Sequence, residues 1–198
     1  KNKRDGLGEM LWPSGQRYSG NFKEDEFNGG GRLIYSDGKV YKGSFKKNQR
    51  DGFGELIWPS GVRYVGQFQS DKRSGKAIMY WRNGTVYRGF FKDDEQDGFG
   101  VKRDGGGAVE LQFWQSGNLE ITEKMEKNNR CLLEHLGRFW MFDSARCVNG
   151  LATGEGNAVS FSGNSVIVGG KFILGRLVEG EVIEYPSDNN PRLLKPDG

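Results

Sequence analysis

The stretch Val40-Tyr41-Lys42-Gly43-Ser44-Phe45-Lys46-Lys47-Asn48-Gln49-Arg50-Asp51-Gly52-Phe53-Gly54-Glu55-Leu56-Ile57-Trp58 decides the fold. In Val40–Phe45, Tyr41, Gly43 and Phe45 share one parity while Lys42 and Ser44 take the other. That is the two-residue alternation of a strand. In Gly52–Trp58, the two glycines, Leu56 and Trp58 share a parity in the same way. Stepping outward by 23 residues repeats the pattern. Tyr18, Tyr41, Tyr64 and Tyr87 form one column, and Phe22, Phe45, Phe68 and Phe91 another. Gly20, Gly43, Gly66 and Gly89 lie between them. Gly8, Gly31, Gly54 and Gly100 keep the step with Ala77 as the one departure, and Trp12, Tyr35, Trp58 and Trp81 precede each closing glycine. Such self-similarity marks a repeat architecture built from one supersecondary unit.

Each unit reads as a β-hairpin. Ser14-Gly15, Asp37-Gly38, Ser60-Gly61 and Asn83-Gly84 are the expected tight two-residue turns, with the connection at Lys47–Asp51 longer and polar. The predicted fold is all-β: an elongated, twisted, single antiparallel sheet of 23-residue hairpins. Glycine columns beside tyrosine, phenylalanine and tryptophan columns let rings lie across bare backbone, so that one layer carries its own cover. Neighbouring units together offset the ordering entropy that one unit cannot.

The composition agrees. The 198 residues include 32 Gly, 13 Phe, 7 Tyr and 5 Trp, but only 5 Pro. Collagen would need Gly at every third position with abundant Pro. Disordered chains lack such aromatic content. No run of 18 apolar residues exists. The net charge of +3 predicts no nucleic-acid partner. The chain opens on Lys1 with no apolar signal segment, so it reads as a piece of a longer protein, with the cytoplasm as its expected location.

The pattern Tyr-x-Gly-x-Phe, then Gly-x-Gly, then a closing glycine resembles the MORN (membrane occupation and recognition nexus) repeat over residues 5–107. The resemblance implies an extended sheet used as a scaffold or adaptor, often joined to other domains. The family's name also suggests attachment to anionic phospholipid, and the expected cytoplasmic location includes association with a membrane or the cytoskeleton. The segment 170–180 is similar to the end of the repeat region in MORN-containing SET-domain lysine methyltransferases, and plant phosphatidylinositol phosphate kinases carry such arrays. This implies a regulatory or targeting arm of a larger enzyme as an alternative.

Residues 1–107 are read as regular repeats, 108–187 as degenerate hairpins continuing the sheet, and 188–198 as a flexible tail. At Glu110 and Gln112 the expected Tyr and Gly are replaced, and an extra excursion is expected at Asp104–Gly107. Residues 109–117 read as strand plus turn, and Asn118–Met125 as a strand followed by a turn at Asn128-Asn129. A helix over 123–136 is the competing reading. The repeat returns with Gly154, Gly156, Val168, Gly170 and Phe172, shifted by two residues, and Pro186-Ser187 echoes Pro59-Ser60.

No catalytic set emerges, so the chain is read as non-enzymatic, with no cofactor and no metal. His135 is the only histidine, and Cys131 and Cys147 lack metal-ligand spacing. Asp93, Glu95, Asp97 and Gly98 mimic part of a calcium loop, but the repeat itself explains this turn. The expected contact surface for a partner helix or extended peptide is Tyr18, Tyr41, Tyr64, Tyr87, Phe22, Phe45, Phe68, Phe91, Trp12, Trp58 and Trp81. Leu11, Ile34, Ile57 and Tyr80 form an apolar column on the opposite face, which suggests a partner or a homodimer. Residues 1–107 carry 20 Lys and Arg against 14 Asp and Glu. In this basic half, Lys46, Lys47, Arg50, Lys72 and Arg73 are the candidates for lipid headgroups.

Overall fold

The computed structural model describes residues 3–125, 133–135, 138–142, 147–148, 151–160 and 162–185. Eleven strands form one antiparallel sheet in chain order. They are β1 (Gly6–Leu11), β2 (Arg17–Lys23), β3 (Glu26–Ile34), β4 (Val40–Lys46), β5 (Gln49–Ile57) and β6 (Arg63–Gln69). β7 (Lys72–Tyr80), β8 (Val86–Lys92), β9 (Glu95–Arg103), β10 (Val109–Gln115) and β11 (Asn118–Met125) complete it. Among the described residues there is no helix. The strand expected over 118–125 is β11, and residues 126–132, with the Asn128-Asn129 turn and Cys131, lie outside the described residues.

The register brings the glycines into one continuous row across the strands. Gly8, Gly20, Gly31, Gly43, Gly54, Gly66, Ala77, Gly89 and Gly100 pair successively, and Gln112 ends the row. The tyrosines lie over this row. A Cβ built on Gly31 would sit 2.6 Å from the Tyr18 hydroxyl, and one built on Gly20 would sit 2.7 Å from it. Tyr41 covers Gly43 and Gly54 likewise, and Tyr87 covers Gly89 and Gly100. Tyr18, Tyr41 and Tyr64 each also stand edge-on between two phenylalanines. Tyr41 is 5.0 Å from Phe45 and 5.1 Å from Phe68, and Tyr64 is 5.1 Å from Phe68 and 5.2 Å from Phe91. These rings link each repeat to the next in the favoured T-shaped geometry. Tyr18, Tyr41 and Tyr64 are wholly buried and the phenylalanines nearly so.

The turns differ from the sequence expectation. The tight two-residue turns are Glu24-Asp25, Lys47-Asn48, Ser70-Asp71 and Asp93-Asp94, all with positive φ. Positive φ at both central residues matches the twist of a hairpin. The Ser14-Gly15 type of connection is the longer one. There Trp12 and Gln16 pair, and the Gly15 amide closes back on the Trp12 carbonyl at 2.9 Å. Gly15 has a φ of 83°, as the last residue of a three-residue loop requires. Asp104–Ala108 makes the same closure, so it is the ordinary loop and not an extra excursion. The period runs on without a break, and Ser116-Gly117 takes the place of Asp93-Asp94.

Non-glycine residues with positive φ are held there by the neighbouring repeat. The Asp71 amide donates to the Arg50 carbonyl at 3.0 Å. In return the Asp71 carboxylate accepts from the Arg50 amide at 2.9 Å and from its guanidinium at 3.1 Å. A further guanidinium N–H reaches the Asp71 carbonyl. Arg4 with Asp25 and Arg73 with Asp94 repeat this clasp, and at Phe27 the Asn48 side-chain oxygen still accepts from the amide at 2.8 Å, without a guanidinium. Hydrogen bonding to Arg4 holds the Asp25 carboxyl below its usual range. These carboxylates are half-exposed, and an ion pair alone contributes little there. The guanidinium also covers aromatic rings, with Arg50 at 5.0 Å from the Phe68 centroid and Arg73 at 5.2 Å from that of Phe91.

The remaining strands are β12 (Glu134–His135), β13 (Arg138–Phe142), β14 (Cys147–Val148), β15 (Leu151–Ala152), β16 (Gly154–Ser160), β17 (Ser165–Ile173) and β18 (Arg176–Glu184). They do not extend the array as expected. A second sheet, ordered β12-β13-β16-β17-β18, packs on the face opposite the tyrosines, and β14 and β15 pair separately. Val101, Val109, Leu111 and Met125 of the first sheet meet Met141, Val159, Val166, Val168, Ile183 and Tyr185 of the second. The Tyr185 hydroxyl donates to the Phe99 carbonyl at 2.7 Å. The cause is a change along two columns. Glu9, Arg32 and Glu55 give way to Ile78 and Val101, and Ser19 and Lys42 give way to Val65, Arg88 and Leu111. The face opposite the tyrosines becomes largely apolar at that end and needs a second layer. Within the second sheet, Gly154 pairs with Phe172 and Gly156 with Gly170, the register of Gly52 with Phe68 and Gly54 with Gly66. Pro186-Ser187 and the tail from 188 lie outside the described residues.

Asp71→Ala is expected to lower the unfolding free energy by about 1–3 kcal/mol, because hydrogen bonds to charged groups are lost at a strained turn. Asp71→Asn keeps the acceptor, as Asn48 does naturally, and is expected to lose less than half of that. Urea unfolding followed by tryptophan fluorescence measures both.

Candidate functional site at the end of the aromatic face

The structure sorts the expected partner-binding residues into two groups. Tyr18, Tyr41, Tyr64, Tyr87, Phe22, Phe45, Phe68 and Phe91 are at most 5% exposed, so these columns are core. Their rings close over the glycine row and one another, which leaves them little surface to offer. Trp12, Tyr35, Trp58, Trp81 and Trp114 are half-buried beside them. Trp12, Tyr35, Trp58 and Trp81 are the accessible aromatic edge of the face, and Trp114, in the phenylalanine column, stands at its end.

The expected lipid contacts are divided too. Arg50 and Arg73 are engaged in the clasps, and Lys72 pairs with Asp93 at 2.9 Å. Lys46 and Lys47 are exposed. Asp93, which suggested a calcium loop, binds Lys72, and Asp97 accepts from the Ser116 amide at 3.2 Å. Of the apolar column on the opposite face, Leu11 is 73% exposed and Ile57 37% exposed, while Ile34 and Tyr80 are half-buried.

A cavity of about 380 Å³ opens where the aromatic face ends. Trp81, Tyr87, Gln96, Lys102, Gln112 and Trp114 are among the residues that line it. Six column departures surround it, each one repeat beyond its regular counterpart. Gln96 stands where Arg73 stood, and it is too short to lie across the rings. Lys102 replaces Met79, Glu110 replaces Tyr87, Gln112 replaces Gly89 and Trp114 replaces Phe91. Gly117 replaces Asp94, so only the backbone half of the clasp survives, with the Gly117 amide 2.9 Å from the Gln96 carbonyl. Trp114 still takes the phenylalanine's role, edge-on to Tyr87 at 6.3 Å. Stepping 23 residues on from Phe91 finds it, a count that sequence reasoning applied to Glu110 and Gln112 alone.

The polar residues form a connected chain. Lys102 pairs with Glu110 at 3.3 Å, the Gln112 amide donates to Glu110 at 3.0 Å, and the Trp114 indole donates to Gln112 at 3.2 Å. The wall is therefore charge-compensated, and the Gln112 amide is used on both sides. Tyr87 differs. Tyr18, Tyr41 and Tyr64 donate to the carbonyls of Asn21, Ser44 and Gln67 at 2.7–2.9 Å. The Tyr87 hydroxyl is buried with no hydrogen-bond partner. Burial pushes its titration up, and the Gln96 side chain comes near enough to oppose that rise without reaching hydrogen-bonding geometry.

Five consecutive MORN repeats match residues 1–17, 18–40, 41–63, 64–86 and 87–109. The chain belongs to the MORN-repeat family. A comparison with curated protein sequences finds no match. Among solved structures, the G-box domain of the microcephaly protein CPAP is 11% identical, with 92% of this chain and 100% of that chain covered and a TM-score of 0.29. The TCP domain of SAS-4 (dCPAP), solved with a proline-rich motif of Ana2 (dSTIL) of Drosophila melanogaster, is 13% identical. That match covers 91% of this chain and 90% of the other, with a TM-score of 0.27. Both scores are too low to define a common overall fold.

The double substitution Gln96→Arg/Gly117→Asp restores the clasp of the earlier repeats. It is expected to raise the unfolding free energy by about 1 kcal/mol, the net of a charged hydrogen bond and positive-φ strain. Thermal melting measures the gain, and an unchanged or lower midpoint would show that the clasp does not act as described.

Proposed function

We propose that this chain is a non-enzymatic scaffold that binds a segment of a partner protein along the aromatic edge of its sheet. The observation that carries this reading is the row Trp12, Tyr35, Trp58 and Trp81, with Trp114 at its end, only half-buried on a face whose tyrosines and phenylalanines are fixed in the core. Tryptophan and tyrosine are enriched in interface anchors because they bury much area at small entropic cost. The sheet beneath is held by tyrosine–glycine packing and by clasps between repeats, so the anchors are pre-ordered and little freedom is lost on binding. A phospholipid surface has weaker support, since Arg50, Arg73 and Lys72 are already paired within the chain.

Panning a displayed random-peptide library against the chain tests the proposal. Enriched peptides are expected to bind in solution and to lose at least about tenfold in affinity to Trp58→Ala/Trp81→Ala. No enrichment, or undiminished binding by the folded double variant, would contradict it.

A further inference from the structure

The cavity at the end of the aromatic edge has a chemistry specific enough to name its occupant, given that the edge binds protein segments. Its apolar walls are Trp81 and Trp114. Lys102 and Glu110 neutralise each other, so a charged ligand gains nothing from them. Gln112 has its amide committed to Glu110 and Trp114. Asn83, Thr85 and Gln96 are partly exposed, and the one buried donor of the lining without an acceptor is the Tyr87 hydroxyl, on a side chain only 1% exposed. A buried donor left unsatisfied is costly. The ligand that suits this lining is neutral, presents flat apolar surface to two indoles, and brings a carbonyl with no N–H that would need a partner. A prolyl residue in a peptide has these features, because proline lacks the backbone donor.

The spacing of the edge points the same way. Trp12, Tyr35, Trp58 and Trp81 recur once per hairpin, every second strand. Strands lie 4.7–4.9 Å apart, so the rings recur at about 9.5 Å along the array. A polyproline II helix turns every three residues with a rise of 3.1 Å each, a pitch of about 9.3 Å. A proline at every third position thus meets one ring per repeat. An α-helix, at about 5.4 Å per turn, does not keep that step.

We propose that the cavity lined by Trp81, Tyr87, Gln96 and Trp114 is a binding site for a prolyl segment in the polyproline II conformation. The proline ring sits between the two indoles. Gln96 turns aside to let the segment's carbonyl accept a hydrogen bond from the Tyr87 hydroxyl, and the following turns run back over Trp58, Tyr35 and Trp12. Four ring positions span about 28 Å, or nine to ten residues of such a segment.

Fluorescence anisotropy with labelled twelve-residue peptides tests this. One carries proline at every third residue, a second has the same composition with proline at every fourth residue, and a third is alanine-rich and helical. The first is expected to bind at least about fivefold more tightly than the second, since a broken register forfeits ring contacts. Trp81→Ala is expected to weaken it about tenfold or more. Tyr87→Phe removes only the hydroxyl and is expected to weaken it about threefold to tenfold. Tyr87→Phe should leave the melting temperature of the free chain unlowered, because the free chain has no bond there to lose, which separates binding from folding. Gln96→Arg/Gly117→Asp fills the cavity and should weaken the same peptide. Equal affinity for the two proline spacings, no binding of the first peptide, or unchanged affinity in Tyr87→Phe would overturn the proposal. If panning enriches helical or charged peptides that still require Trp58 and Trp81, the scaffold reading stands and the prolyl site falls.

Discussion

Each tyrosine of the array lies with its ring against the backbone of a paired glycine row, and this contact lets one layer of sheet act as its own core. A single sheet has no opposing layer to exclude water from one face. Here the side-chain space over Gly20, Gly31, Gly43 and Gly54 is filled by Tyr18 and Tyr41. The phenylalanines then close the gaps between tyrosines, so that Tyr18, Tyr41 and Tyr64 have no exposed surface. Ala77 is the natural exception. Opposite it the bulge moves, with Gln67 pairing Ser74, whereas other repeats resume pairing only at the phenylalanine. The glycine requirement thus bends only where the register bends with it.

The same repeat that builds the core also engages part of its charge. Arg4, Arg50 and Arg73 span from one hairpin to the turn of the next and cover its rings. Of the basic residues that looked available to headgroups, Arg50 and Arg73 are internal fasteners. Between Gln96 and Gly117 one clasp loses its side chains, and the space it would have covered is the cavity.

Much of this was legible in the sequence. The 23-residue period fixed the strands, the face shared by Tyr41, Gly43 and Phe45, and the strand at Asn118–Met125. The turns were misplaced because Asn83-Gly84 and its equivalents carry a strong hairpin signature. The pairs that adopt the tight turn, such as Ser70-Asp71, carry none, because a bond 21 residues back in the chain holds them. The cavity was hidden for a related reason. Glu110 and Gln112 read as decay of the repeat, although Gln96, Lys102, Trp114 and Gly117 depart within the same unit. The second sheet was hidden because the column Glu9, Arg32, Glu55, Ile78, Val101 was not followed to its apolar end.

The packing of tyrosine on glycine is tested most directly by two adjacent positions in β3. Gly31 faces Tyr18, whereas a Cβ on Gly30 would meet nothing within 4 Å. Chemical unfolding of Gly31→Ala and Gly30→Ala measures the difference. Gly31→Ala should lose about 1–3 kcal/mol through overpacking. Gly30→Ala should be neutral or gain up to about 1 kcal/mol from a stiffer unfolded chain. Equal effects at the two positions would contradict the claim that the tyrosine–glycine contact holds the sheet together.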